Sequence, residues 1–388
     1  MEKICFIVQR YGLEVNGGAE LHCRQLAEHM LTYYDHIDVL TSKAIDYMTW
    51  KDEYKKEEEI INGVHVKRFS VTHKRNADEF NSINQLVYDG CLPQEREEEW
   101  VDKQGPALPD LCKYLREHKE EYKAFIFFTY LYYPTVMGIK EVADKAIVIP
   151  TAHDEPFLKM QIFKNVFNLP KAFLYNTEEE RQLVNRKFHN ENIPSKLGGV
   201  GVELPVDINA DRFKHKYRLD KFIVYVGRID EGKNCNQLFD YFQEYKKRND
   251  QDIKLVLMGK PVIPIPKNKD IISLGFVDDQ DKFDGIAAAE VLVLPSRFES
   301  LSMGVLEAMS VDTLVLVNGE CEVLKGHCTK SNGALYYKNY FEFEGTLNYL
   351  LTHPVETNAM KQNAKAYVHD NYRWDVITKR LEELIQLI

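Results

Sequence analysis

The chain has 388 residues and a formal net charge of −10, a length that suits two domains better than one core. Hydrophobic residues make up 44% and charged residues 28%, which is a globular balance and excludes extensive disorder. The acidic balance does not indicate a surface for nucleic acid. The seven cysteines form no Cys-x-x-Cys pair, the N-terminus lacks a signal-peptide core, and no apolar run approaches about 18 residues. We therefore expect a cytoplasmic protein with reduced thiols and no membrane span.

Short apolar strands alternate with helical segments along the whole chain. In the first half they are predicted at Ile4–Val8, His36–Thr41, Val64–Phe69, Phe125–Phe128, Ala146–Pro150 and Ala172–Asn176. In the second half they are predicted at Phe222–Gly227, Lys254–Gly259, Ile271–Leu274, Val291–Pro295 and Leu314–Val317. Apolar strands separated by helices are typical of parallel sheets covered on both faces. The fold class predicted is α/β, with two Rossmann-like domains.

Three segments need a separate interpretation. The charge-rich residues 51–59 and 94–103 are expected to be solvated helices or loops. Residues 157–167 mix apolar and basic side chains, which is typical of a helix facing the core; the alternative is a helix lying on a membrane surface. Peripheral contact with the inner face of a membrane therefore stays open.

A hinge is predicted where residues 198–205, rich in glycine and closed by a proline, give way to the polar residues 207–220. The predicted domains are residues 1–205 and 206–370, followed by a C-terminal helix at 371–388. That helix carries an apolar face formed by Val376, Ile377, Leu381, Leu384 and Ile385.

A Gly17-Gly18 pair follows the first strand and opens a helix. Two glycines let the backbone approach a ligand closely and direct helix N-terminal amides at it. The spacing is not that of the dinucleotide-binding Gly-x-Gly-x-x-Gly motif, so a nicotinamide cofactor is not predicted. The alternative is a tight strand-to-helix turn without a ligand.

The loop after the first strand of the second block carries Gly227, Arg228 and Lys233. An arginine fork and a lysine charge five positions apart are suited to the oxygens of a diphosphate, and they can stabilise a departing nucleoside diphosphate. A solvated pair that only improves solubility is the alternative.

Glu299 and Glu307 stand eight positions apart at a predicted strand-to-helix junction. Over a helix this interval spans about 12 Å, which is too far for a glycosidase pair at about 5 to 9.5 Å. We expect the two acids to bind opposite ends of one long ligand. Between them lie the first amides of the new helix, which attract a phosphate.

These motifs, in this order, resemble those of the retaining glycosyltransferases of family 4. The Glu-x7-Glu element, the Gly-Arg…Lys loop and the Gly-Gly loop all have counterparts in that family, and the resemblance extends over essentially the whole chain. It implies the GT-B fold, in which two Rossmann-like domains face each other across a cleft and the last helix crosses back to the N-terminal domain. The N-terminal domain would bind the acceptor and the C-terminal domain the donor.

The resemblance also assigns roles. Glu299 would bind the donor hexose and Glu307 the nucleotide ribose, while Arg228 and Lys233 would hold the diphosphate. His153, after another apolar strand, would lie beside the hexose; a capping or packing histidine is the alternative. The remaining residues expected at the donor are Gly17, Gly18, Gly227, Gly259, Phe276, Val277, Ser300, Leu301, Ser302 and Met303.

Asp279 and Asp281 form an Asp-x-Asp sequence that is known from metal sites. They precede an apolar run, so we expect them to cap a helix rather than to bind a metal. No metal and no cofactor other than the donor substrate is predicted.

The function predicted from the resemblance is transfer of a hexose from a UDP- or GDP-linked donor to an acceptor hydroxyl, with retention and without metal. The acceptor would be a glycan, a lipid-linked molecule or a protein, in the synthesis of a surface polysaccharide or glycoconjugate. The alternatives are a sugar-nucleotide epimerase or hydrolase of the same fold, and a non-catalytic partner of another transferase. The oligomeric state is left open.

Overall fold

A computed structural model describes residues 2–15 and 17–388. The chain divides into two compact units. The first ends at Val200 and includes Trp374–Ile388, and the second is Gly201–Arg373. The divisions thus lie within a few residues of the predicted ones at 205 and 370.

The predicted strands are present, with ends that differ by a residue or so. The strands are β1 (Ile4–Ile7), β2 (Ile37–Ser42), β3 (Glu58–Ile61), β4 (Val64–Phe69), β5 (Ala124–Phe128), β6 (Ala146–Ile149), β7 (Ala172–Tyr175), β8 (Ser195–Leu197), β9 (Phe222–Val226), β10 (Lys254–Met258), β11 (Ile271–Gly275), β12 (Val291–Leu294), β13 (Leu314–Asn318) and β14 (Leu335–Tyr337). Three of them, β3, β8 and β14, were not predicted. Glu58 begins β3, so residues 51–59 are not entirely helix or loop; β3 pairs antiparallel with β4 at the sheet edge, where charged residues are common.

The helices that cover the sheets are α1 (Gly18–Met30), α2 (Ala77–Tyr88), α3 (Glu97–Gln104), α4 (Pro109–His118), α5 (Tyr133–Gly138), α6 (Phe163–Asn168), α7 (Glu178–Phe188), α8 (Ala210–Tyr217), α9 (Cys235–Arg248), α10 (Asp279–Ala288), α11 (Met303–Ser310), α12 (Glu322–Ser331), α13 (Tyr340–Thr352), α14 (Pro354–Asn371) and α15 (Trp374–Ile385). Short 3-10 turns lie at 94–96, 119–121, 139–141, 143–145 and 156–159. No helix in the described part of the chain is long and apolar enough to cross a membrane.

The first unit has an apolar core on each face of its sheet, because its strands are buried on both sides. The last helix, α15, packs into one of these cores through Ile377, Leu381, Leu384 and Ile385. The apolar residues of the segment 157–167 pack in the other core. This segment is a short turn followed by α6 and not one continuous helix. Those side chains face the core, as the first of the two interpretations predicted.

Each sheet has one point where the strand order reverses. The orders are β3-β4-β2-β1-β5-β6-β7-β8 and β11-β10-β9-β12-β13-β14. From β1 the chain proceeds to β2 on one side and reaches β5 on the other, and β9 stands in the same relation to β10 and β12. In open α/β sheets, ligands bind in the crevice that such a reversal opens at the carboxyl ends of the strands.

Glu180 is a fully buried acid at the carboxyl edge of the first sheet. Its side chain accepts hydrogen bonds from the backbone N–H groups of Ala152, which follows β6, and Asn176, which follows β7, both at 2.6 Å. Burial raises the pKa of Glu180 to about 8, although these hydrogen bonds oppose the shift. The carboxyl group of Glu180 thus links the backbone after β6 to the backbone after β7.

This burial predicts a pH-dependent stability. The folded protein holds the proton of Glu180 up to a pKa of about 8, whereas the ordinary pKa is 4.5, so the stability that Glu180 contributes falls as the pH rises from 4.5 to 8. Relative to a Glu180→Gln variant, the wild-type free energy of unfolding should fall by up to about 4 to 5 kcal/mol across that window. Urea denaturation at pH 5 to 9 measures this. The exposed Glu191→Gln is the control, and an equal difference at every pH would contradict the prediction.

Candidate functional site

The loop after β9 is organised by Asp230, which the sequence analysis did not single out. Its carboxylate pairs with the guanidinium of Arg228 and accepts the backbone N–H of Lys233 at 2.7 Å. The loop begins at Gly227, whose φ of 144° suits glycine. Arg228 and Lys233 are thereby held on one short loop at the strand-order reversal of the second sheet.

Lys233 and Glu299 form a direct ion pair across that reversal. The Nζ atom of Lys233 lies 2.6 Å from Oε1 of Glu299, and the side chain of Glu299 is only 12% exposed. Lys233 follows β9 and Glu299 follows β12, so the two come together only because these strands are neighbours. Lys233, which is predicted to bind the diphosphate, and Glu299, which is predicted to bind the hexose, are therefore adjacent.

The segment that carries Glu299 is fixed at both ends. The carbonyl of Pro295 accepts hydrogen bonds from the side-chain amides of Asn234 at 3.1 Å and Asn318 at 3.0 Å. The carbonyl of Leu301 lies 2.6 Å from Nε2 of the buried His327. These contacts hold the loop that leads into α11.

The start of α11 has the geometry of an anion site. Ser302 is its N-terminal flanking residue and adopts a left-handed conformation with φ 75°, and the helix proper begins at Met303. Ser300, Leu301 and Ser302 form the turn that precedes it. The first amides of a helix have no partner within the helix, and they carry its positive dipole end.

Glu307 lies one turn further along α11 and has a basic partner. Nζ of Lys282, on α10, is 2.9 Å from its Oε1. Burial lowers the pKa of Lys282, but Glu307 and then Asp279 more than offset this, so the net shift is upward and the amine stays charged. Glu307 is not paired with Lys233, so the two acids of the Glu-x7-Glu motif occupy separate electrostatic environments.

The other residues predicted at the donor lie at the ends of β10 and β11. Gly259 has φ 154°, and a Cβ atom there would lie 1.8 Å from the carbonyl oxygen of Gly227. The backbone N–H of Gly259 donates to the carbonyl of Gly275 at 2.7 Å. Phe276 is 69% exposed and Val277 follows it on the same loop. Only glycine at position 259 lets these strand ends approach so closely.

In the first unit, Gly17 and Gly18 lie beside a buried ion pair that the sequence analysis did not single out. Arg10 pairs with Glu20 at 2.6 Å, and Gln9 donates to the same carboxylate at 2.9 Å. A Cβ atom at Gly17 would lie 2.2 Å from the other oxygen of Glu20, whereas one at Gly18 would meet nothing within 4 Å. The first glycine therefore accommodates Glu20, and the second leaves open space at the start of α1.

His153 lies after β6, and its Nδ1 is 3.1 Å from Oε1 of Glu155. The same Glu155 oxygen accepts the hydroxyl of Tyr130 at 2.6 Å. Two threonines at neighbouring strand ends have left-handed backbones, Thr129 with φ 62° and Thr151 with φ 52°. Such conformations are costly for β-branched residues and concentrate at functional sites.

The predicted site residues thus form two groups, one in each unit. Gly17, Gly18 and His153 belong to the first unit, and all the others belong to the second. The sequence analysis missed Asp230, Lys282, Arg10, Glu20 and Glu155. These charged residues lie beside predicted ones. Their pairings could not be predicted, because each partner is distant along the chain or is brought close by the path of a loop.

The Asp-x-Asp sequence lies at the start of α10. Asp278, one residue earlier than predicted, is the capping residue, and its Oδ1 accepts the backbone N–H of Asp281 at 2.8 Å. Asp281 pairs with Lys216, and Asp279 with Lys282. Among residues 2–15 and 17–388, no three His, Cys, Asp or Glu side chains are grouped to hold a metal ion.

Comparison with known proteins gives a consistent result. The family model for glycosyl transferases group 1 matches residues 207–367, an interval that contains every predicted site residue of the second unit. An uncharacterized glycosyltransferase of Methanocaldococcus jannaschii is 24% identical over 97% of this chain and 96% of its own length.

Solved structures share the fold over the whole chain. A complex of Anabaena HepE with UDP-glucose has a TM-score of 0.73 at 14% identity, with 100% of both chains covered. Sucrose-phosphate synthase of Thermosynechococcus elongatus has a TM-score of 0.72 at 15% identity, covering 100% of this chain and 99% of its own. Residues 207–367 are therefore similar to the glycosyl transferases group 1 family, and the chain as a whole has the GT-B fold.

Proposed function

We propose that the protein is a retaining glycosyltransferase that transfers a hexose from a nucleoside diphosphate sugar to an acceptor hydroxyl without a metal ion. The observation that carries this proposal is the Lys233–Glu299 pair at the strand-order reversal of the second sheet. In a sugar nucleotide the anomeric carbon is bonded directly to the diphosphate. A site for this donor needs a phosphate ligand beside a sugar ligand, as this pair provides.

The leaving group is stabilised by fixed charge. The diphosphate is bound by Arg228, Lys233 and the first amides of α11. Their attraction for it strengthens as negative charge develops on the diphosphate while the glycosidic bond breaks. A phosphate oxygen takes the proton of the acceptor hydroxyl on the same face of the sugar, so the anomeric configuration is retained. The residues of the chain contribute orientation and charge, and none has to act as a nucleophile.

Glu299 and Glu307 bind different parts of the donor. Glu299 accepts hydrogen bonds from hexose hydroxyls, and Glu307, held by Lys282, accepts those of the ribose. The backbone of Phe276 and Val277 binds the base. We propose uridine because HepE crystallises with UDP and with UDP-glucose; guanosine is the alternative base.

The first unit supplies the acceptor side of the reaction. Within this unit His153, whose Nδ1 lies 3.1 Å from Oε1 of Glu155, is proposed to bind a sugar hydroxyl, and the open space at Gly18 lets a ligand approach the backbone closely. The acceptor is a glycan, a lipid-linked molecule or a protein. WaaG, a glycosyltransferase involved in lipopolysaccharide biosynthesis, has the same fold, which supports a role in surface polysaccharide or glycoconjugate synthesis in the cytoplasm.

An epimerase or hydrolase would use the same donor without an acceptor. Product analysis of a UDP-sugar panel separates these functions, since a transferase should hydrolyse its donor only slowly until an acceptor is added. Rapid acceptor-independent turnover would favour the hydrolase, and a new nucleotide sugar would favour the epimerase.

Removing either phosphate ligand should weaken nucleotide binding. Arg228→Ala and Lys233→Ala should each reduce UDP affinity by about 1.5 to 3 kcal/mol, because each deletes a charge-assisted contact. Isothermal calorimetry measures this, with the exposed Lys247→Ala as the control for loss of one positive charge. Wild-type affinity in both site variants would move the diphosphate to another place.

The two acids should respond differently to the same isosteric change. Glu307→Gln should weaken UDP binding, because UDP contains the ribose. Glu299→Gln should bind UDP at least as well as wild type, since it frees Lys233, yet transfer should fall about a hundredfold or more. Calorimetry and initial rates measure the two effects, and Arg297→Gln, two residues away, controls for disturbance of the loop. Equal binding defects in both glutamine variants would refute this division of roles.

Turnover should survive removal of divalent metals. The counter-charge of the diphosphate comes from Arg228, Lys233 and helix amides, while Asp279 and Asp281 are engaged with Lys282 and Lys216. Transfer rates measured with and without excess chelator should agree within about twofold. Loss of activity that manganese or magnesium restores would contradict metal independence.

A further inference from the structure

Arg75 is a half-buried cation with no carboxylate partner among the described residues. It precedes α2 in the first unit, and its Nη2 donates to the side-chain oxygen of Gln104 at 2.8 Å and to the carbonyl of the same residue. Its guanidinium carbon lies 4.5 Å from the ring centre of Phe80 and 5.3 Å from that of Trp50. Among the described residues its Nε is buried without a hydrogen-bond acceptor, and no carboxylate pairs with it.

Arg75 is half-buried, whereas two arginines of this unit that are fully buried are neutralised. Arg10 pairs with Glu20 and Arg68 with Glu59, each at 2.6 Å. Burial lowers the pKa of Arg75, with nearby phenols and Asp46 opposing the shift only weakly. Partly desolvating a cation without a counter-charge costs free energy, and a bound oxyanion would offset that cost by accepting a hydrogen bond from the guanidinium group.

The surroundings of Arg75 connect it to the first unit's predicted site residues. The ring of Tyr132 contacts that of Trp50 edge to face, with 5.7 Å between the centroids. Burial raises the pKa of Tyr132 to about 12, and the charges that act on it come from Glu20, Arg10, Arg75 and Glu155. The phenol of Tyr132 is thus influenced by the charges of Arg75, of the Arg10–Glu20 pair and of Glu155.

We propose that Arg75 binds an oxyanion, a phosphate or a carboxylate, carried by the acceptor of the transfer reaction. The inference rests on the proposed function, because it specifies the acceptor as an anionic molecule with a free hydroxyl. The flat faces of Trp50 and Phe80 keep the guanidinium in a fixed plane, and its contacts to Gln104 engage Nη2 and leave Nη1 without a hydrogen-bond acceptor among the described residues. A neutral sugar would leave this charge uncompensated.

The experiment uses inorganic phosphate and acetate as probes for the two kinds of oxyanion. Each is titrated, at ionic strength balanced with chloride, into the full-length protein saturated with UDP, and the shift in Tm is recorded. Phosphate, acetate or both should stabilise wild type, and the apparent affinity should drop at least tenfold in Arg75→Gln. The exposed Lys74→Gln, next in the chain, should respond as wild type does, and Arg75→Lys should fall between them. Circular dichroism checks that all variants are folded.

Two results would overturn the inference. An equal anion response in wild type and Arg75→Gln would show that the anion binds elsewhere. A loss of UDP affinity in Arg75→Gln would place Arg75 at the donor instead of the acceptor. Absence of UDP binding in wild type would count against the proposed function alone, because the same titration in an Arg228→Ala/Lys233→Ala background, without UDP, still tests Arg75.

Discussion

The site depends on one constraint of parallel sheets, which is that all their strands end at the same edge. The second sheet is wholly parallel, so the loops after β9 and β12 emerge side by side although they are far apart in sequence. The close approach of Gly259 to Gly227 brings the backbones after β9 and β10 into contact and restricts the path of the loop after β9. The pairing of Lys233 with Glu299 follows from this geometry.

Much of the fold could be predicted because buried parallel strands have an unmistakable composition. Runs such as Val291–Leu294 are apolar on both faces, and a helix follows nearly every one. The missed strands lack this signal. Glu58–Ile61 is half exposed at an edge, while Ser195–Leu197 and Leu335–Tyr337 have three residues each. Their positions are set by pairing with a longer neighbour and not by their own sequence.

The motifs identified in the sequence could place residues at loop ends but could not pair their charges. Nothing local to Glu307 indicates Lys282, because the two helices that carry them meet only in the folded unit. Arg75 could not be identified from the sequence, because it is distinguished only by the lack of a carboxylate partner within residues 2–15 and 17–388. The charges of the second unit's candidate site are paired with one another. Binding of the proposed donor would therefore exchange existing ion pairs for new ones, and its net free energy would be smaller than the contacts alone indicate.

The left-handed backbones of Thr129 and Thr151 bear on how this protein tolerates change. Each conformation costs of the order of 1 to 3 kcal/mol for a residue that is not glycine, and both lie at strand ends on the same edge as His153 and Gln9. Glycine or asparagine at these positions would lower this cost. At Thr129, however, the substitution would remove the hydroxyl that is hydrogen-bonded to Gln9. At Thr129, relief of this strain would therefore raise the free energy of unfolding only with loss of the hydrogen bond that joins the chain after β5 to the chain after β1.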